Sequence, residues 1–125
     1  MTRPNDGSID KNPPVLYEGQ QFSVTQTEQF AAWLKALRDL EGRARILKRL
    51  RRLADGHFGD CKAVGEGVSE LRMFFGPGYR AYFTMVGDTV VLLLVGGDKD
   101  SQPRDIALAR KLAKEVRSDG EDQDV

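Results

Sequence analysis

A single cysteine, a single histidine and no apolar run long enough to span a bilayer set the first limits on this chain. Cys61 has no second cysteine to pair with, so an intramolecular disulfide is excluded. No secretory leader is evident, and the expected location is the cytoplasm. His57 has no second histidine beside which a Cys–His nucleophile pair or a zinc-ligand set could be built. It falls in a Gly-flanked loop, where an incidental role is expected, and Cys61 is expected as a buried or edge-strand thiol. No cluster of Cys, His and carboxylates has metal-ligand spacing, and no glycine pair opens a phosphate-binding loop of Walker type, so neither metal nor cofactor is expected. A net charge is lacking too: 19 Lys+Arg balance 19 Asp+Glu.

The balance hides an asymmetry. Residues 22–117 hold 17 basic against 12 acidic side chains, residues 118–125 hold four acids and no base, and residues 1–21 carry a net −1. A basic body with acidic ends points to an anionic partner, nucleic acid or an acidic protein segment, although solvated surfaces often carry such a charge. At 125 residues the chain can bury one core without staples.

Three segments follow. Residues 1–21, with Pro4, Pro13 and Pro14 and no apolar period before Val15, are expected as a flexible arm; residues 22–117 as the folded domain; residues 118–125 as an acidic disordered tail. Within the domain, Phe22-Ser23-Val24 alternates as a short strand, and Thr25 with Glu28 matches a capping box. Phe30, Trp33, Leu34, Leu37 and Leu40 recur at helical spacing. Gly42 is expected to break the chain before a second helix, with apolar Ile46, Leu47, Leu50, Leu53 and Ala54 and a stop at Gly56. Turn residues then divide four strands, 62–64, 68–75, 79–86 and 89–95, an antiparallel meander. The last is apolar almost throughout and belongs at the sheet centre, with the first short strand beside it. A final helix begins near Ser101 or Gln102 and shows Ile106, Ala109, Leu112, Ala113 and Val116. The expected order is β-α-α-β-β-β-β-α, an α+β fold with its helices on one sheet face.

Strand alternation puts Glu70 and Arg72 on one face of one strand, and Arg80, Tyr82 and Thr84 on one face of the next. With the Gly76-Pro77-Gly78 turn centred on Pro77, Arg72 faces Tyr82 and Arg80 lies on the diagonal. Two neighbouring arginines repel unless an anion sits between them, which is the pattern of a phosphate site; the competing reading pairs Glu70 with Arg72 on a solvated face. The second helix carries Arg43, Arg45, Lys48, Arg49, Arg51 and Arg52. Such a face suits RNA phosphates and equally suits plain solvation.

Glu70-Leu71-Arg72, then Gly76-Pro77-Gly78-Tyr79-Arg80-Ala81-Tyr82-Phe83, then Leu92-Leu93-Leu94-Val95-Gly96-Gly97-Asp98-Lys99 with Gln102 and Asp105-Ile106, resemble the sequence blocks of HigB-like "addiction module killer" toxins of the RelE/ParE superfamily. The resemblance covers about residues 22 to 117, with Val95 where a cysteine often stands and Asp100 where a serine is common. It implies a RelE-like fold. It further implies the toxin of a type II toxin–antitoxin pair, a metal-independent endoribonuclease (mRNA interferase) that cuts messenger RNA in the ribosomal A site and so inhibits translation. Arg72 and Arg80 would hold the scissile phosphate and neutralise its developing charge. Tyr82, Asp98 and Lys99 would transfer protons or position substrate; no general base is assigned. Lys62, with Arg45, Lys48, Arg49 and Arg52, would contact RNA. Implied partners are the ribosome, mRNA and a cognate antitoxin of helix-turn-helix type bound in a heteromeric complex, with no membrane. Two other classes stand beside this one: a ParE-like inhibitor that binds DNA gyrase, and a nucleic-acid-binding regulator that does not cleave.

Overall fold

The computed structural model describes residues 15–124, with side-chain surroundings given through Ser118. Two short strands come first, β1 (Val15–Glu18) and β2 (Ser23–Gln26), then helices α1 (Glu28–Ala36) and α2 (Leu40–Ala54). Strands β3 (Cys61–Gly65), β4 (Val68–Arg72), β5 (Arg80–Val86) and β6 (Val90–Gly97) precede the last helix, α3 (Gln102–Asp124). One six-stranded sheet runs in the order β1-β2-β6-β5-β4-β3. β3 to β6 form the antiparallel meander, while β2 lies parallel to β6. The apolar β6 is interior to the sheet with β2 beside it, as its composition predicts. The fold is mixed α+β.

The arrangement of helices differs from expectation. Residues of α1 and α2, among them Phe30, Leu34, Ile46, Leu50 and Leu53, pack with Val24, Leu71, Ala81, Phe83, Val91 and Leu93 on one face. Ala109 and Ala113 of α3 pack with Val68, Tyr82, Leu92, Leu94 and Val95 on the other. The sheet is therefore covered on both faces rather than one. The cause is that β5 and β6 bury side chains at successive positions, so each face needs a partner.

Local boundaries also move. β1 lies inside the expected arm, with Leu16 and Tyr17 packed against the core and the Arg51 guanidinium 5.2 Å from the Tyr17 ring. Val15-Leu16-Tyr17 is too short a run to display an alternation. The rest of that arm, residues 1–14, lies outside the described residues, as does Val125 of the expected tail; helix α3 runs on past Arg117 to Asp124. Thr25 does not cap α1, because pairing with β6 carries β2 through Gln26. Thr27 caps it instead, accepting from the Phe30 N–H at 3.0 Å and donating to the Leu94 carbonyl at 2.8 Å. Gly42 is not a break but the first turn of α2, its N–H donating to the Asp39 cap, and Leu40 is exposed. Gly56 ends α2 at φ +93° as expected.

Candidate functional site

The β4–β5 hairpin is tied at its mouth by Met73 N–H to the Tyr79 carbonyl, and its turn by Gly78 N–H to the Phe75 carbonyl. The turn is thus centred one residue earlier than Pro77, and partners shift by two. Arg72 faces Arg80, and Glu70 faces Tyr82. A two-residue shift preserves alternation, so all four side chains still share the face that α3 covers in part.

Each arginine has its own carboxylate. Arg80 Nε lies 3.4 Å from Glu70 Oε2, with the Arg80 side chain 11% exposed and that of Glu70 1% exposed. The same Glu70 oxygen accepts from the Tyr82 hydroxyl at 3.0 Å and from Gln102 Nε2 at 2.7 Å. Arg80 also donates from one terminal nitrogen to the Gly78 carbonyl. Arg72 pairs with Asp60 instead, Nε to Oδ2 at 3.3 Å and a terminal nitrogen to Oδ1 at 3.3 Å, with both side chains about a third exposed (35% and 37%). Neither Nε makes a well-directed hydrogen bond. The expected Glu70–Arg72 pair is therefore replaced by Glu70–Arg80 and Asp60–Arg72. Arg72 is the accessible member, and Arg80 is clamped beneath the start of α3.

The glycine pair at the end of β6 makes room for this cluster. The register slips between Tyr82 and Phe83, which leaves Leu94 and Val95 both toward α3 and sets Gly97 opposite Arg80. A Cβ at Gly97 would overlap the Asp105 carboxylate, and one at Gly96 would overlap the Trp33 ring on the other face. Asp98 Oδ1 accepts from the backbone N–H groups of Asp100 and Ser101 at 3.0 and 3.1 Å, so it fixes the turn into α3. Ser101 in turn donates to the buried Asp105. Lys99 is exposed and its backbone N–H meets the Pro77 carbonyl at 3.5 Å, which stands it beside Gly78 and Arg80.

Three expected site residues thus have structural work. Tyr82 is 0% exposed, which leaves it no approach to a substrate, and burial, followed by its bond to Glu70, pushes its phenol well above the usual range. Asp98 is committed to its turn. Arg49 donates to the Phe58 carbonyl at 2.8 Å and lies under Gly59, so it anchors the loop before β3 rather than facing solvent. Arg72, Arg80 and Lys99 do come together. Lys62 is exposed on β3 opposite Glu70, and Arg45, Lys48 and Arg52 share an exposed stripe of α2. Gln102 and Asp60, which position the arginines, were not singled out in the sequence. Gln102 alone left a trace, within the third sequence block.

Elsewhere, His57 is exposed, its N–H bonded to the Arg52 carbonyl at the end of α2. The Cys61 thiol, half-buried and near the Phe58 carbonyl, is pushed up by burial, the opposite of an activated nucleophile. A pocket of about 190 Å³ lies beside the α2 N-terminus, lined by Asp39, Glu41, Gly42, Arg45, Phe75 and Gly76, away from the buried Glu70. The Gly42 N–H, above all, and the Tyr79 hydroxyl hold the Asp39 carboxyl below its ordinary value. Among the described residues, no group of three or more His, Cys, Asp or Glu side chains could hold a metal, and no helix is long and apolar enough to cross a membrane.

Fold and site together define an α+β domain with an arginine pair at one end of a sheet covered on both faces. An uncharacterized protein of Haemophilus influenzae is 43% identical to the chain over 95 residues, spanning 76% of the chain and 96% of that protein. The chain belongs to the same family as that protein. No protein-family model matches the chain, and no solved structure matches it.

Proposed function

We propose that this chain is a RelE-like toxin of the HigB-like branch, a metal-independent endoribonuclease that cuts messenger RNA on the ribosome and is neutralised by a cognate antitoxin. The observation that carries the proposal is the direct pairing of Arg72 with Arg80 across β4 and β5, with Lys99 alongside. Cross-strand partners sit about 5 Å apart at Cβ, close enough for two guanidinium groups to grip one phosphate. Arg80 is preorganised by Glu70, and Arg72 is open to solvent, its exchange of Asp60 for a substrate phosphate requiring only a side-chain rotation. The nucleophile is the 2′-hydroxyl of the ribose preceding the cut. It forms a bond to phosphorus as the bond to the following 5′-oxygen breaks, its proton passing to solvent and the leaving oxygen taking one from solvent, and the charge that gathers on the phosphoryl oxygens is met by donors already in place. Arg45, Lys48, Arg52 and Lys62 supply further positive surface for ribosomal or messenger RNA, and the location is the cytoplasm.

One feature favours a second reading. Both arginines already have carboxylate partners, so neither stands free for a scissile phosphate, which favours binding without nuclease chemistry, whether as a gyrase inhibitor or a nucleic-acid-binding regulator. The experiment that separates them is expression in bacteria without antitoxin, with mapping of mRNA 5′ ends, beside reaction of the purified protein with programmed ribosomes. Ribosome-dependent cuts reduced about a hundredfold in Arg72→Ala, as expected when one preorganised donor is removed, support the nuclease. Growth arrest without new RNA ends, persisting in Arg72→Ala, overturns it in favour of binding; supercoiling assays then identify or exclude gyrase.

A further inference from the structure

Between β4 and the hairpin turn, three consecutive side chains divide between two environments. Met73 is buried and Phe75 packs against the core under α2, whereas Phe74 between them is 79% exposed. Phe74 turns to the side of Arg72, two residues before it, and the Arg72 guanidinium lies 5.8 Å from its ring centroid. Phe75 takes the other face, where the Arg45 guanidinium lies 5.2 Å from its ring, so among the described residues the exposed Phe74 has Arg72 alone as its cationic neighbour. An exposed cation–π contact contributes little to stability, too little to explain a phenyl ring held in water beside the accessible arginine of the pair. An aromatic face flanked by a cation is the chemistry that receives a nucleobase while its phosphates are held alongside.

We propose that Phe74 is a stacking platform for the base adjoining the phosphate that Arg72 and Arg80 hold, which makes it a substrate-positioning residue. The inference rests on the nuclease reading and names its substrate class, single-stranded RNA with an unpaired base beside the cut. Charge complementarity commits the surface to RNA: on the Arg72 side of the hairpin Arg72, Arg80 and Lys99 stand against Asp60 and the buried Glu70. Stacking is tolerant of base identity, because every base has a π-face. The Arg72 guanidinium lies over one side of the ring and leaves the other for a base, so base and phosphate are positioned by one assembly.

The test is single-turnover cleavage on programmed ribosomes, with intact message and with messages carrying one abasic nucleotide at each position flanking the cut. Phe74→Leu lowers cleavage of intact message about tenfold, while Phe74→Tyr restores it, because stacking needs a flat ring. At one flanking position the abasic message is cut about tenfold more slowly by the wild-type chain, and Phe74→Leu adds no further loss there. Additive losses at every position, or wild-type cleavage by Phe74→Leu, overturn the platform while leaving the nuclease standing. If Phe74→Leu instead abolishes capture of the antitoxin with cleavage unchanged, the ring serves a protein partner and the inference falls. Absence of any cleavage by the wild-type chain overturns both readings. At its exposure the Phe74 side chain meets the Arg72 guanidinium but takes no part in the core, so folding does not confound the comparison.

Discussion

Glu70 is the residue on which the site turns, since its one oxygen meets Arg80, Tyr82 and Gln102 in a nearly dry setting. Strand alternation brings Glu70, Arg72, Arg80 and Tyr82 to one face, and that much was legible in the sequence. Which carboxylate meets which arginine was not, because it depends on a one-residue choice of turn centre and on Asp60 arriving from another strand's approach. The buried hydroxyl of Tyr82 gives a pH dependence whose sign follows directly. Burial and the Glu70 acceptor raise its folded pKa above the ordinary 10.0, so the neutral phenol is the form the fold favours. Its contribution to stability is complete below pH 10 and declines as the pH climbs from there toward the higher folded value. Urea midpoints of the wild-type chain and Tyr82→Phe should keep a constant difference between about pH 7 and pH 9 and converge above pH 10, since only the wild-type chain must then protonate or expose the phenol. Curves that stay parallel to the alkaline limit would refute the buried-phenol account; Tyr79, also raised by burial, is common to both chains and cancels.

The elements show why helices and strands were legible while their ends were not. Periods of about 3.6 and 2 identify α1, α2, α3 and the meander, since they reflect burial of whole faces. Ends depend on single contacts from elsewhere: Thr27 caps α1 because its hydroxyl also reaches the Leu94 carbonyl of β6, whereas the local rule, a capping box of Thr25 with Glu28, points to the wrong threonine. The expected break at Gly42 failed for a related reason. That glycine removes a Cβ from the path of the Asp39 cap and the Tyr79 ring, a demand of packing rather than of chain reversal. Gly96 and Gly97 follow the same logic one element later, each clearing one face of β6 for Trp33 or Asp105. Gly97→Ala should therefore push Asp105 and the start of α3 outward, lower stability by about 1–3 kcal/mol as overpacking does, and loosen Gln102 from Glu70. Thermal unfolding and amide exchange at residues 101–106 read both effects together. Unchanged exchange there would mean that α3 is not seated through this contact.

At the scale of the molecule, the sequence under-counted the layers. A charged, amphipathic last helix reads as a surface element, and only its seat on Val68, Tyr82, Leu92 and Leu94 reveals that it closes the second face. Its basic side chains reinforce that seat: Arg110 donates to the Val64 carbonyl and Arg117 to the Glu66 carbonyl, each at 2.7 Å, while Lys114 lies 3.8 Å from the Glu66 carboxylate. The charge of these three is spent on the β3–β4 hairpin, whereas Arg45, Lys48 and Arg52 on α2 remain exposed for an anionic partner. The other missed component is β1, at the opposite edge. A domain cut at residue 22, as composition suggests, would lose the half-buried Leu16 and Tyr17 and the Arg51–Tyr17 contact, and would leave the outer edge of β2 unpaired. Full burial of such side chains contributes about 1.5–3 kcal/mol each, so losing two half-buried ones should lower stability by about 2 kcal/mol. Because β2 keeps its parallel pairing with β6, the chain beginning at 22 should still fold cooperatively. Its urea midpoint should fall below that of a chain beginning at 15, and its freed edge should favour self-association at high concentration. Equal midpoints would show that β1 adds pairing without stability, and would restore the domain boundary to the place where the composition changes.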